Sequence, residues 1–230
     1  MDALNHLNYL HYLQLINEKR NSKKARINYL ALDVISLYNN EEFHQRFRMK
    51  KESLRELIRM IEGKLTWKSN RNYPFPPDIQ VITAIRVFRS GSFQQINGDL
   101  YSISQPSVSR IVKRVAKAYA SVFNEYIRFP GQNELPKVRA EFYDISKFPG
   151  VIGAIDCTHV QIKVDGEENN ERFRNRKGKT TLNIQAVCDA NMKFTNMVIR
   201  WPGSVHDSRI FRTSEIRFKL ENDPVNGWLL

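Results

Sequence analysis

The feature that most constrains this chain is the run from Val151 to Val164, Val-Ile-Gly-Ala-Ile-Asp-Cys-Thr-His-Val-Gln-Ile-Lys-Val. Its β-branched residues and its length fit a strand. Side chains alternate across a strand, so Ile152, Ala154, Asp156, Thr158, Val160, Ile162 and Val164 share one face. That face is apolar apart from one threonine and one carboxylate. An ionised carboxylate buried among apolar groups costs several kcal/mol unless a cation or hydrogen bonds compensate it. Two arrangements remove that cost. Asp156 accepts backbone N–H bonds in a turn at the strand end, or it binds a metal ion.

The rest of this half extends the strand reading. Residues 165–179 are polar and read as a hairpin connection. Thr181 to Cys188 alternates Leu182, Ile184, Ala186 and Cys188 as a second strand, and Phe194 to Trp201 reads as a third. Pro202-Gly-Ser204 breaks it, and Ser204 or His206 opens a helix with Asp207 in its first turn. A carboxylate there gains only about 0.3–1 kcal/mol from the helix dipole. Gly227 to Leu230 starts a fourth strand. Cys157 and Cys188 lie inside strands and read as buried thiols of an intracellular protein, with no disulfide framework.

Charge separates the two halves. The net charge is +12, and residues 1–150 carry 24 Lys+Arg against 14 Asp+Glu, whereas residues 151–230 are nearly balanced. A basic front half suits a polyanion, most simply nucleic acid. No apolar run reaches the roughly 20 residues of a transmembrane helix, and the N-terminus lacks a signal-peptide pattern, so no membrane partner is expected.

Residues 1–65 read as helical. Leu4, Leu7, Leu10, Leu13 and Leu15 suggest an opening helix, and the basic stretch Lys19 to Arg26 a solvated connector before the apolar run Ile27 to Tyr38. Ser53 and Glu56 have capping-box spacing ahead of Leu57, Ile58 and Ile61. Asn70 to Pro77 is a proline-rich linker. Ile79, Ile82, Ile85 and Val87 to Phe88 then fit a buried helix ending near Gly91.

Gly91 to Val115 follows, with a short helix (Phe93 to Leu100), a polar turn (Tyr101 to Ser104) and a longer helix. Ser104 suits its cap, and Pro106 is tolerated in its first turn because no intrahelical N–H bond is lost there. Val108, Ile111, Val112, Val115 and Tyr119 line one face. Gln105, Ser107, Arg110, Lys113 and Arg114 lie opposite. This pattern meets the needs of a DNA-binding helix-turn-helix. An apolar face packs inward, short polar groups at the N-terminus reach bases, and basic residues along the flank neutralise phosphates. An ordinary helical hairpin with a solvated basic face gives the same pattern.

Several blocks together resemble the PIF/Harbinger transposase family: Phe148 to Val160, Asn175-Arg-Lys-Gly178, Leu182-Asn-Ile-Gln185 and Trp201-Pro-Gly-Ser-Val-His-Asp-Ser208. Gly91-Ser-Phe-Gln94 and Ser104 to Arg110 resemble the helix-turn-helix that precedes that family's nuclease domain. The resemblance implies an α+β fold. A helical DNA-binding region over residues 1–130, with its helix-turn-helix near 91–117, precedes an incomplete RNase H-like (DDE nuclease) domain over 145–230. It also implies an Asp-Asp-Glu set holding two divalent cations, Mg²⁺ or Mn²⁺, about 3.5–4 Å apart. Asp156 matches the first, catalytic aspartate, and Asp207 an additional metal residue. Arg176 and Lys177 belong to a block suited to DNA contact. The family's second aspartate and its glutamate follow the Trp-Leu-Leu strand, so residues 1–230 alone are not expected to cleave DNA.

The resemblance further implies a nuclear or also cytoplasmic location and a Myb-like/SANT DNA-binding partner. Three functions compete for the intact protein: a metal-dependent endonuclease derived from a transposase, a catalytically silent DNA-binding protein, and an interaction scaffold.

Overall fold

The computed structural model describes residues 33, 35–66, 75–91, 93–99, 103–164, 166–222 and 227–230. The expected opening helix, the basic connector, most of the run Ile27 to Tyr38 and most of the proline-rich linker lie outside these residues. The chain divides into two compact units, residues 1–121 and 122–230, and each is taken by itself.

The first unit is helical. Helix α1 (Asn40–Phe47) begins at a capping box. The Asn39 side chain accepts the Glu42 N–H at 2.8 Å, and the Glu42 carboxylate accepts the Asn39 N–H at 3.1 Å. Helix α2 (Lys51–Leu65) has no side-chain cap, and Ser53 lies inside it. The capping box read at Ser53 and Glu56 is therefore corrected. The same three-residue spacing occurs at Asn39, where the chain does leave extended geometry. Helix α3 (Pro77–Ser90) starts with proline at a position that needs no intrahelical N–H and ends at Gly91, whose φ of 59° is left-handed. Leu54, Ile58, Ile61 and Leu65 of α2 and Ile79, Ile82 and Ile85 of α3 are buried. Side chains of this kind stabilise by about 1.5–3 kcal/mol each when fully buried.

Helices α4 (Gln94–Asp99) and α5 (Gln105–Tyr126) complete this unit, with α5 continuing across the boundary. Val108, Ile111, Val115, Ala118 and Val122 of α5 are buried, which is the expected inner face extended by one turn. Val112 and Tyr119 are half-buried. The Tyr119 hydroxyl donates to the Leu57 carbonyl at 3.0 Å, and burial pushes its pKa up to about 12. Gly98 makes the close approach of α4 to α5 possible. A Cβ there would stand 2.2 Å from the Ile103 carbonyl oxygen and 3.2 Å from Val108.

The second unit is a mixed sheet with helices. Helix α6 (Leu135–Ser146) packs on strand β1 (Val151–Gln161). Residues 165–179 are not a plain hairpin connection. They contain the short helix α7 (Glu167–Phe173), which has too few apolar residues to announce itself by periodicity. Strands β2 (Thr181–Cys188) and β3 (Phe194–Pro202) continue an antiparallel meander. Helices α8 (Asp207–Arg212) and α9 (Glu215–Asn222) precede β4 (Trp228–Leu229), which lies parallel to β1. The strand order is β3-β2-β1-β4. Phe129, Leu135, Ile152, Val187 and Ile216 form a core, with Ile155, Phe211, Leu220 and Leu229 packed against it.

Burial on the sheet departs from the apolar pattern. Along β2, Thr181, Asn183, Gln185 and Val187 are buried, while Leu182, Ile184, Ala186 and Cys188 are half-exposed. Along β1 only Val151, Ile152 and Gly153 are buried, and Asp156, Thr158 and Val160 are exposed. Asp156 is thus not the buried carboxylate that its neighbours suggest. The cause is tertiary: α8 packs on β2 and brings Asp207 onto the amide-bearing face. The two thiols are also half-buried rather than buried, and both are free.

Candidate functional site

Asp156 lies mid-strand on β1, paired across the ladder with Ala186. Its Oδ1 accepts the Cys157 N–H at 2.7 Å. That N–H points to the strand edge on which β4 runs. One residue pair earlier, Ile155 N–H donates to the Leu230 carbonyl at 2.7 Å, and Leu230 N–H donates to the Gly153 carbonyl at 3.0 Å. Asp156 therefore sits at the point where the parallel β1–β4 pairing ends. Gly153 makes that pairing possible, since a Cβ there would meet Val187 at 2.8 Å and Leu229 at 2.9 Å.

Asp207 is the first residue of α8, but it does not cap its own helix. His206 is the cap, its Nδ1 accepting the Ser208 N–H at 3.3 Å. The Asp207 side chain instead turns to the sheet. Asn183 Nδ2 donates to Asp207 Oδ1 at 2.7 Å and to the Val205 carbonyl at 3.0 Å. Burial pushes the Cys157 thiol up to about 11. The Asp207 charge, a hydrogen bond from the thiol to that carboxylate, and the Asp156 charge add to the shift.

By register, Cys157 and Asn183 share the face opposite Asp156, so the two carboxylates bracket β1 from different sides around Cys157. Neither is in an ion pair among the described residues. Exposed, uncompensated carboxylates suit a hard divalent cation, and the donor chemistry of each fits one. Two carboxylates do not complete a site by themselves. Among the described residues no group of three His, Cys, Asp or Glu is arranged to hold a metal ion.

Asn183 and Gln185 belong to the block Leu182–Gln185, but no role is assigned to them by the resemblance. With Thr181 they alternate with Leu182, Ile184 and Ala186, and this polar stripe on a buried strand is the signal of a site. His159 Nδ1 lies 3.0 Å from the Thr181 hydroxyl. Gly203 closes the turn above them: its N–H donates to the Thr181 carbonyl at 2.7 Å.

The block Asn175–Gly178 forms a tight turn. Buried Asn175 accepts the N–H groups of Lys177 and Lys179 at 3.0 Å each, and Gly178 takes a left-handed φ of 74°. Arg176 and Lys177 are exposed on that turn.

In the first unit, Gln105, Arg110 and Lys113 are exposed on α5, and Ser107 is half-buried. Gln105 Nε2 donates to Gln94 Oε1 at 3.1 Å, linking α5 to α4, and Arg110 donates to Ser107 Oγ at 3.3 Å. Arg114 is placed differently from the other two cations. Its guanidinium reaches the Thr66 carbonyl at 3.5 Å, and burial lowers its pKa.

Residues 155–230 match the DDE superfamily endonucleases. The chain is 35% identical over 176 residues to the Rattus norvegicus protein named "Putative nuclease HARBI1", covering 76% of this chain and 50% of that relative. Its Homo sapiens counterpart is 34% identical over the same shares. The chain is similar to the Harbinger transposase-derived nucleases. A more distant relative, "Protein ALP1-like" of Arabidopsis thaliana, is 25% identical over 179 residues, 75% of this chain and 43% of that relative. The chain spans about half the length of the curated relatives it matches. No solved structure gives a significant match. Among the described residues no helix is long and apolar enough to cross a membrane.

Proposed function

We propose that the intact protein is a metal-dependent DNA endonuclease of transposase descent, with Asp156 as its first catalytic carboxylate and Asp207 as a further cation ligand. One observation carries the reading. Asp156 is an exposed carboxylate with no ion-pair partner among the described residues, set where the parallel β1–β4 pairing ends. Any residue that follows Leu230 in a longer chain enters beside it, so further acidic side chains can be delivered to the same edge. The strand order β3-β2-β1-β4, with only β4 parallel to β1, supports an RNase H-like arrangement.

In this reading Asp156 holds a divalent cation together with carboxylates that the described residues do not supply. When bound, the cation acidifies the attacking water and steadies the leaving oxygen of the phosphodiester. The Cys157 N–H keeps the Asp156 carboxylate turned to the strand edge. Asp207 accepts from the Asn183 amide and has no ion-pair partner among the described residues, which leaves the carboxylate available to a cation. Arg176 and Lys177 contact phosphates from the hairpin turn. The α4–α5 pair acts as the helix-turn-helix. Gln105 and Ser107 approach bases, while Arg110 and Lys113 face the backbone and Arg114 braces α5 through the Thr66 carbonyl. A nuclear location follows from that substrate.

The test is nicking of supercoiled plasmid by the full-length protein. Nicked circles are expected with Mg²⁺ or Mn²⁺ and none with a chelator. Salt-dependent binding without nicking in either metal points instead to a catalytically silent DNA-binding protein.

A further inference from the structure

We propose that Asn183 is a positioning residue that fixes the Asp207 carboxylate for cation binding. This rests on the reading of Asp207 as a cation ligand. Asn183 is fully buried at the centre of β2. Its one amide nitrogen donates to the Val205 carbonyl and to Asp207 Oδ1, at 3.0 and 2.7 Å. Those two acceptors flank His206, the cap of α8. The same amide therefore sets both the path of the chain into the helix and the direction of the carboxylate.

The choice of donors is informative. An acidic residue in a first helical turn ordinarily interacts with its own helix N–H groups. Here His206 takes the capping task, and Asp207 turns to the sheet. A lysine or arginine in place of Asn183 would hold the carboxylate equally well but would neutralise it. The Asn183 amide holds it without cancelling its charge. The arrangement also has a cost. Asn183 Oδ1 is buried with no hydrogen-bond partner among the described residues, and an unsatisfied buried acceptor is destabilising. A residue serving stability alone would be better replaced by an apolar one. Orienting Asp207 is a role that an apolar residue could not fill.

The test uses the full-length protein and Mn²⁺ alone, with binding followed by the loss of the free-ion paramagnetic resonance signal and folding by circular dichroism. Asn183→Leu should weaken Mn²⁺ binding by roughly 10–100-fold, the usual loss when an orienting partner of a ligand is removed. Asp207→Asn should weaken it at least as much, and the double variant should be no weaker than Asp207→Asn, because the two residues act through one carboxylate. Asn183→Ser, which withdraws the donor without placing an apolar group at the turn, should follow Asn183→Leu and serves if the leucine variant does not fold. Wild-type affinity in both Asn183 variants, with loss in Asp207→Asn, overturns the positioning role and leaves the Asp207 reading standing. Wild-type affinity in Asp207→Asn removes the reading beneath it. Additive losses in the double variant also overturn the inference.

Discussion

Replacing Gly203 by alanine probes the packing that holds the Asp207 turn. A Cβ at this position would stand 2.1 Å from Thr181 Oγ1, 2.7 Å from the Phe173 carbonyl oxygen and 2.8 Å from the Thr181 carbonyl oxygen. Two of these three are backbone atoms and cannot rotate aside. The turn must move, and the 2.7 Å hydrogen bond from Gly203 N–H to Thr181 lengthens or breaks. Overpacking of this kind costs about 1–3 kcal/mol, and the lost bond about 0.5–1.5 kcal/mol. The expected loss is therefore about 2–4 kcal/mol. For a chain of this size that lowers the melting temperature by roughly 4–16 °C. Tryptophan fluorescence should report it, since Trp201 and Trp228 both lie in this unit. Gly63 is the control. It lies inside α2, and a Cβ added there would meet nothing within 4 Å, so Gly63→Ala should stabilise by about 0.8–1 kcal/mol through helix propensity. A Gly203→Ala protein that melts with the wild type would refute the close approach and the anchoring of Asp207 built on it.

Two further outcomes follow from the same geometry. The thiolate is the reactive form of cysteine, so raising the Cys157 pKa to about 11 keeps the folded thiol protonated at pH 9. In a Cys188→Ser background, alkylation should accelerate only as pH approaches that value, and Asp207→Asn should move the profile to lower pH. An unchanged profile would deny the thiol–carboxylate contact. In the first unit, Arg110→Ala or Lys113→Ala should weaken DNA binding at all sequences and reduce the slope of log affinity against log salt by about 0.9 per lost phosphate contact. An unaltered slope would place α5 away from the nucleic acid.

Features governed by local rules were legible in the sequence. Gly91 marks the end of α3 because it tolerates a left-handed φ, whereas Pro77, assigned to the linker, is the first residue of the helix, where no intrahelical N–H is needed. The meander from Val151 to Trp201 shows in its alternation and turns. His206 and Asp207 open α8 as expected. Burial was not legible, because alternation says which residues share a face but not which face is covered. On β2 the covered face is the one bearing Asn183 and Gln185, and the aliphatic face is half-exposed. The exposure of Asp156 is the same effect at the site itself. Asn183 was hidden for a related reason: its role depends on α8 folding back over β2, which no local pattern records. The misplaced capping box shows the limit of short motifs, since Asn39–Glu42 and Ser53–Glu56 have the same spacing and only one of them begins a helix.

The central claim is that the Asp156 carboxylate serves phosphodiester cleavage. Plasmid nicking by full-length wild type and Asp156→Asn, in Mn²⁺ and with DNA affinity measured alongside, tests it most directly. Nicking should vanish in the variant while DNA affinity stays at the wild-type level. Wild-type nicking by Asp156→Asn would contradict the account.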